Sequence, residues 1–162
     1  MTPPELVWST MSLLLLAASF PFYLYGAWII LDAETVSWAR LTRHLRYVFA
    51  GLVLTTVPIL GWMLPRFVET FGRSGLVALH AIVGLQAYAM LAVALTGIVR
   101  IFQAKRAHDL YRNPDQDIDL DDIHENMGSW RRRLRVGVFG YVILWVVSFL
   151  LGVAHYLSLY WL

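Results

Sequence analysis

The sequence predicts an all-α integral membrane protein, an up-down-up-down bundle of four helices, and three observations carry that prediction. Of its 162 residues 59% are apolar, whereas a soluble domain is closer to about half apolar. Mean hydropathy is +0.60. Four runs, Leu6 to Leu31, Tyr47 to Leu64, Leu76 to Val99 and Val136 to Leu162, contain no Asp, Glu, Lys or Arg. Each reaches the roughly 18 residues that cross about 30 Å of hydrocarbon at about 1.5 Å per residue. Runs this continuous read as helices, because lipid offers the backbone no hydrogen-bond partners. The four helices and their connections form one membrane domain over residues 1–162.

The first run, residues 6–31, is expected to stay in place as a helix. Its flank, Met1 to Trp8, has no Lys or Arg and includes Glu5, whereas a cleavable signal needs a basic start. Pro21 lies inside it and is expected to bend it. The second run, residues 47–64, follows a connection holding Arg40, Arg43 and Arg46. Pro58 should kink it, with Thr55 and Thr56 placed to satisfy freed backbone groups. The third and fourth runs, residues 76–99 and 136–162, hold small residues suited to close helix packing. Gly84, Ala87, Gly97, Gly140, Ser148 and Gly152 are such positions, as is Gly51 in the second run. Trp8, Trp62, Tyr160 and Trp161 at one side, and Trp38 and Trp130 at the other, read as interfacial anchors.

The distribution of basic residues sets the orientation. The connections between the first two and the last two runs together hold eleven Lys and Arg, and the opposite side only Arg66 and Arg73. By the positive-inside rule both termini face outward in a cell membrane. The net charge of +2 belongs to residues flanking helices, which describes a lipid surface and not a nucleic-acid footprint.

The long connection, residues 100–135, carries Asp109, Asp115, Asp117, Asp119, Asp121, Asp122 and Glu125, then Arg131, Arg132, Arg133 and Arg135. Leu120, Ile123, Met127 and Trp130 share one helical face. Asp119 is the expected N-cap, so the fourth helix should begin near Leu120, ahead of the membrane. Two readings of the connection stand: a solvated, self-neutralising loop or a docking surface for another subunit.

Chemistry is confined to the histidines. There is no cysteine, which excludes disulfides and thiolate-held metals. No phosphate loop, zinc-protease helix, nucleophile with a base, or mid-membrane acid is present. His80 and His155 lie in apolar runs, each about 7–10 Å below the outer end of its helix at about 1.5 Å per residue. Two neutral imidazoles at matched depth could hold one haem iron from both sides. Gly84 and Gly152, about a turn from each, would give the porphyrin clearance, and Gln86 and Tyr88 a polar surround. The bland reading is two interfacial histidines bonded to carbonyls or water. His44 and His124 make a weaker second pair, and His108 should face solvent.

The segments His44-Leu-Arg-Tyr-Val-Phe-Ala-Gly51, Leu79-His80-Ala-Ile-Val-Gly84 and His124-Glu-Asn-Met-Gly128 resemble the histidine-then-glycine helix starts of b561-type cytochromes. That resemblance implies haem b held by histidine pairs and electron transfer across the membrane. In that family the fourth histidine comes from a further helix, whereas His155 here ends the last one. The whole chain, with Leu24-Tyr25-Gly26-Ala27-Trp28 and Trp130-Arg-Arg-Arg-Leu-Arg135, is also similar to small archaeal four-helix membrane proteins associated with cytochrome bc-type respiratory complexes. The similarity implies a small subunit of a quinol-oxidising complex, with larger respiratory membrane subunits and quinol as partners. A cofactor-free structural subunit is the alternative, and a small-solute transporter or lipid-binding protein a third.

Overall fold

The computed structural model describes residues 3–33, 35–70, 74–113 and 120–161. Helix α1 spans Pro3–Leu31, α2 Trp38–Pro58, α3 Leu64–Thr70, α4 Gly75–Ala107, α5 Leu120–Ile123 and α6 Met127–Tyr160. A π turn, Ile59–Met63, joins α2 to α3 without a break. Four stretches are therefore long and apolar enough to cross a membrane: Pro4–Leu31, Trp38–Glu69, Gly75–Ala107 and Met127–Tyr160. No strand occurs among the described residues. The chain is a multi-pass membrane protein with an all-α four-helix fold, and it meets lipid through outward apolar side chains such as Leu24, Phe49, Leu85 and Phe139. Glu34, Arg73, Asp115, Asp117 and the expected N-cap Asp119 lie outside the described residues.

The helices run past their apolar cores. α2 begins at Trp38 and takes in Arg40, Arg43 and Arg46, while α4 continues through Lys105 and Arg106 in its last turn. Cations at a helix C-terminus complement the dipole, so α4 gains from its polar extension. The fourth membrane helix departs from its expected start. α5 covers only Leu120–Ile123, His124 is non-helical, and α6 starts at Met127. Its expected apolar face is nonetheless used, with Met127 fully buried and Ile123 and Trp130 half-buried.

Two compact units account for the chain. The first comprises residues 1–33, 39–81 and 149–162. Its interior is polar in places. Tyr23 donates to Thr55 at 3.1 Å, and Thr55 bonds the carbonyls of Gly51 and Leu52 at 3.1 and 3.0 Å. Proline at 58 frees the carbonyl of Leu54, four residues back. Thr55 thus serves carbonyls further up the helix, and the proline's disturbance is taken up by the π turn that follows it. The N–H of Leu64 reaches the Ile59 carbonyl to close that turn. Pro21, by contrast, lies within an unbroken α1.

One end of this unit is fastened by polar and aromatic pairs. Arg66 meets Glu5 at 2.6 Å and lies 4.6 Å over the Trp62 ring, which stacks on Trp8. Ser9 and Tyr160 share a hydrogen bond, as do Thr10 and Tyr156. Midway, Phe20 meets Phe149 edge to face at 5.1 Å. The anchoring aromatics expected at this end thus also hold α1 to α3 and α6.

The second unit comprises residues 34–38 and 82–148. Here α4 and α6 lie antiparallel and nearly backbone to backbone. A Cβ at Gly97 would fall 2.6 Å from the Trp130 carbonyl oxygen, one at Gly84 3.0 Å from Ser148 Oγ, and one at Gly137 within Ala94 itself. Ala87 and Ala94 are almost fully buried. In lipid no hydrophobic force drives helices together, so this approach gains its stability from dispersion contacts that only small residues allow. Beyond α4 the chain turns at Asp109, whose φ is 57°. The Leu110 N–H then returns to the Lys105 carbonyl at 3.1 Å. The backbone N–H of Trp38 donates to the Tyr111 carbonyl, and the Trp38, Phe102 and Tyr111 rings cluster with centroids 5.5 to 6.2 Å apart. Burial pushes the Tyr111 phenol up from its ordinary value.

Candidate functional site

His80 and His155 fall in the same unit, on segments of α4 and α6 that touch. Both are half-buried. The imidazole of His80 rests directly on the α6 backbone. A Cβ built at Gly152 would lie 3.0 Å from His80 Cε1 and 3.2 Å from Nε2. The space at Gly152, expected to admit porphyrin, is the seat of the His80 ring. The ring edge that would face a haem iron is turned onto protein. Gly84, in the second unit, faces Ser148 Oγ, so its clearance is also taken by helix packing. Gln86 is exposed and Tyr88 half-buried, both in the second unit. As seated, these residues do not fit a porphyrin.

The weaker pair divides between the units, with His44 in the first and His124 in the second. His44 Nδ1 lies 2.7 Å from the Gly26 carbonyl oxygen, so the ring must donate there. That places a proton on Nδ1. His124 has the opposite arrangement. Its Nδ1 accepts from the Asn126 N–H at 3.0 Å. The His124 ring also lies 4.4 Å from Trp130. His124 Nδ1 is thus held as a capping acceptor in the turn before α6. His108 is exposed, as expected, with Nδ1 3.0 Å from the Ala104 carbonyl. Among the described residues no three His, Cys, Asp or Glu gather as a metal site.

One feature of the first unit escapes a reading of the sequence. Where α1 ends and α2 begins, Tyr25, Trp28, Asp32, Arg40 and Arg43 surround a recess of about 260 Å³. On α1 the spacings of three and four, and on α2 the spacing of three, put each set on one helical face. That periodicity is the signal available in the sequence. It is hidden because arginines and aromatics at helix ends are already explained by orientation and anchoring.

The fold and these sites define a small multi-pass membrane protein whose polar chemistry sits at the helix ends and in one histidine pair. A family profile described as a domain of unknown function, DUF7321, matches residues 5–161, and the chain belongs to that family. No curated protein and no solved structure matches it.

Proposed function

We propose that this chain is a small integral membrane subunit of a respiratory quinol-oxidising complex of cytochrome bc type, packing on a larger membrane cytochrome without a haem of its own. The assembly is suggested by the resemblance to small archaeal membrane proteins of such complexes. The observation that carries the cofactor-free form is the seat of His80 on Gly152. A helix pair closed at that point leaves His80 a packing role. The connection after α4, with exposed Arg112, Asp122 and Glu125, supplies charges for docking a neighbouring subunit. Both termini face outward, on the count of eleven basic residues against two.

A second reading keeps one haem b between His80 and His155, favoured by their presence on touching segments of a single unit. It requires α4 and α6 to part at Gly152. One preparation separates the readings. The tagged chain is purified from its native membrane in mild detergent, its partners are identified, and a reduced-minus-oxidised spectrum is recorded on the complex and on the isolated chain. Co-purification of a larger cytochrome, with a flat spectrum from the isolated folded chain, is the expected result. A b-type band lost in H80A and H155A establishes the haem reading. Isolation with no redox partner and a flat spectrum sinks both.

A further inference from the structure

The recess at the α1–α2 end of the first unit has the chemistry of an anion site. Its lining carries two guanidiniums, Arg40 and Arg43, to one carboxylate, Asp32, in a half-enclosed space. Planar guanidiniums suit the oxygens of a phosphate, which they can grip through paired N–H donors. Asp32 supplies only acceptors, so it suits a ligand that carries hydroxyl groups beside its phosphate.

Position narrows the ligand further. Leu31 ends one span and Trp38 begins the next, so the recess sits where a lipid headgroup would lie. Tyr25 and Trp28 form a largely exposed aromatic wall, 47% and 61% accessible, and Leu24, one turn further into the span, is 69% accessible. An acyl chain attached to a phosphate in the recess would run along this apolar strip of α1. The α1–α2 floor of the recess and its Tyr25 side are held by contacts within the protein. His44 donates to the Gly26 carbonyl at 2.7 Å, Tyr25 meets Tyr47 edge to face at 4.6 Å, and Gly26 lets Val48 close in. That part of the recess loses little freedom on binding.

We infer that this recess binds a phosphodiester anion with a hydroxyl-bearing headgroup, an anionic glycerophospholipid of the phosphatidylglycerol class. Arg40 and Arg43 hold the phosphate, Asp32 accepts from the headgroup hydroxyls, and Tyr25 and Trp28 flank the glycerol backbone.

Thermal unfolding of the full chain in a neutral detergent tests this. The midpoint is followed during titration with dioleoylphosphatidylglycerol, dioleoylphosphatidylcholine or glycerol phosphate. The expected result is saturable stabilisation by phosphatidylglycerol and none by phosphatidylcholine. In R40Q/R43Q the half-saturating concentration should rise about tenfold or more, the size expected for two cations lost at an anionic surface. In R132Q/R133Q, outside the recess, it should be unchanged. If the double variant does not fold, R43Q alone should weaken the response about fivefold. Equal stabilisation by phosphatidylcholine, or an unchanged response in a folded arginine variant, overturns the site. A response to glycerol phosphate at the same concentrations overturns the lipid assignment in favour of a soluble phosphate.

Discussion

Single side chains in this protein act mainly by filling space that glycine leaves. His80 on Gly152 is the sharpest case, because a Cβ there would meet the far edge of the imidazole at 3.0 Å. Gly152→Val should cost about 1–3 kcal/mol, the usual range for overfilling a packed contact. In an H80A background the same substitution should cost little, since the ring is gone. Unfolding of the four variants in mixed micelles checks this, and additive costs would show that ring and glycine do not share one space. Thr55 is fully buried and joins α1 to α2 through Tyr23. Thr55→Val keeps the shape and removes the hydroxyl. The expected loss is about 0.6–1.7 kcal/mol, the range for hydrogen bonds between membrane helices. At this scale the sequence was half legible. It marked His80, Gly152 and Thr55 as significant, because polar or very small residues in apolar runs stand out. Their partners depend on helix rotation, which spacing along one helix cannot supply, so Gly152 was expected to clear a porphyrin and instead seats a histidine.

At the scale of elements, the four apolar runs were legible because lipid leaves a membrane helix little choice of sequence. Their ends were not. Polar shoulders such as Arg40 to Arg46 and Arg100 to Arg106 remain helical, so charge marks where a helix leaves hydrocarbon and not where it stops. The π turn after Pro58 was expected only as a kink. A π turn inserts one residue into the α repeat, which rotates Arg66, beyond the turn, by about 100° relative to an uninterrupted helix. Pro58→Ala should allow continuous α-helix and carry Arg66 away from Glu5. The chain has no native cysteine, so E5C/R66C can be joined by a short bifunctional thiol reagent. Cross-linking should be efficient with Pro58 and should fall several-fold with alanine there; equal yields would mean that the turn persists without proline. In the other unit, the raised Tyr111 phenol gives a sign to the pH response. The neutral form is the one favoured by folding, so its stabilising share is complete below about pH 10, the ordinary phenol value, and is lost as pH rises through the higher folded value. Absorbance at alkaline pH should show a late-titrating tyrosine component that Tyr111→Phe diminishes.

For the whole molecule, the proposed orientation rests on the asymmetry of basic residues along the chain, eleven in the stretches between the first two and the last two apolar runs against two between the second and third. Moving a short cationic loop across a polarised membrane opposes both the potential and the anionic inner leaflet, at about 1 kcal/mol per residue near the surface. The polar stretch between the first two apolar runs contributes three of the eleven, Arg40, Arg43 and Arg46, and the stretch between the last two runs contributes eight. The orientation should therefore survive loss of the smaller group. A reporter that is active only outside, fused after residue 162, should be active in the native chain and equally in R40Q/R43Q/R46Q. The same reporter inserted between residues 112 and 120 should be silent in both. A C-terminal reporter silenced by the triple substitution would mean that the first connection dominates. A silent C-terminal reporter in the native chain would place the recess, with Arg40 and Arg43, on the outer face. Its lipid would then come from the outer leaflet, so the topology measurement also decides which leaflet supplies the phosphate.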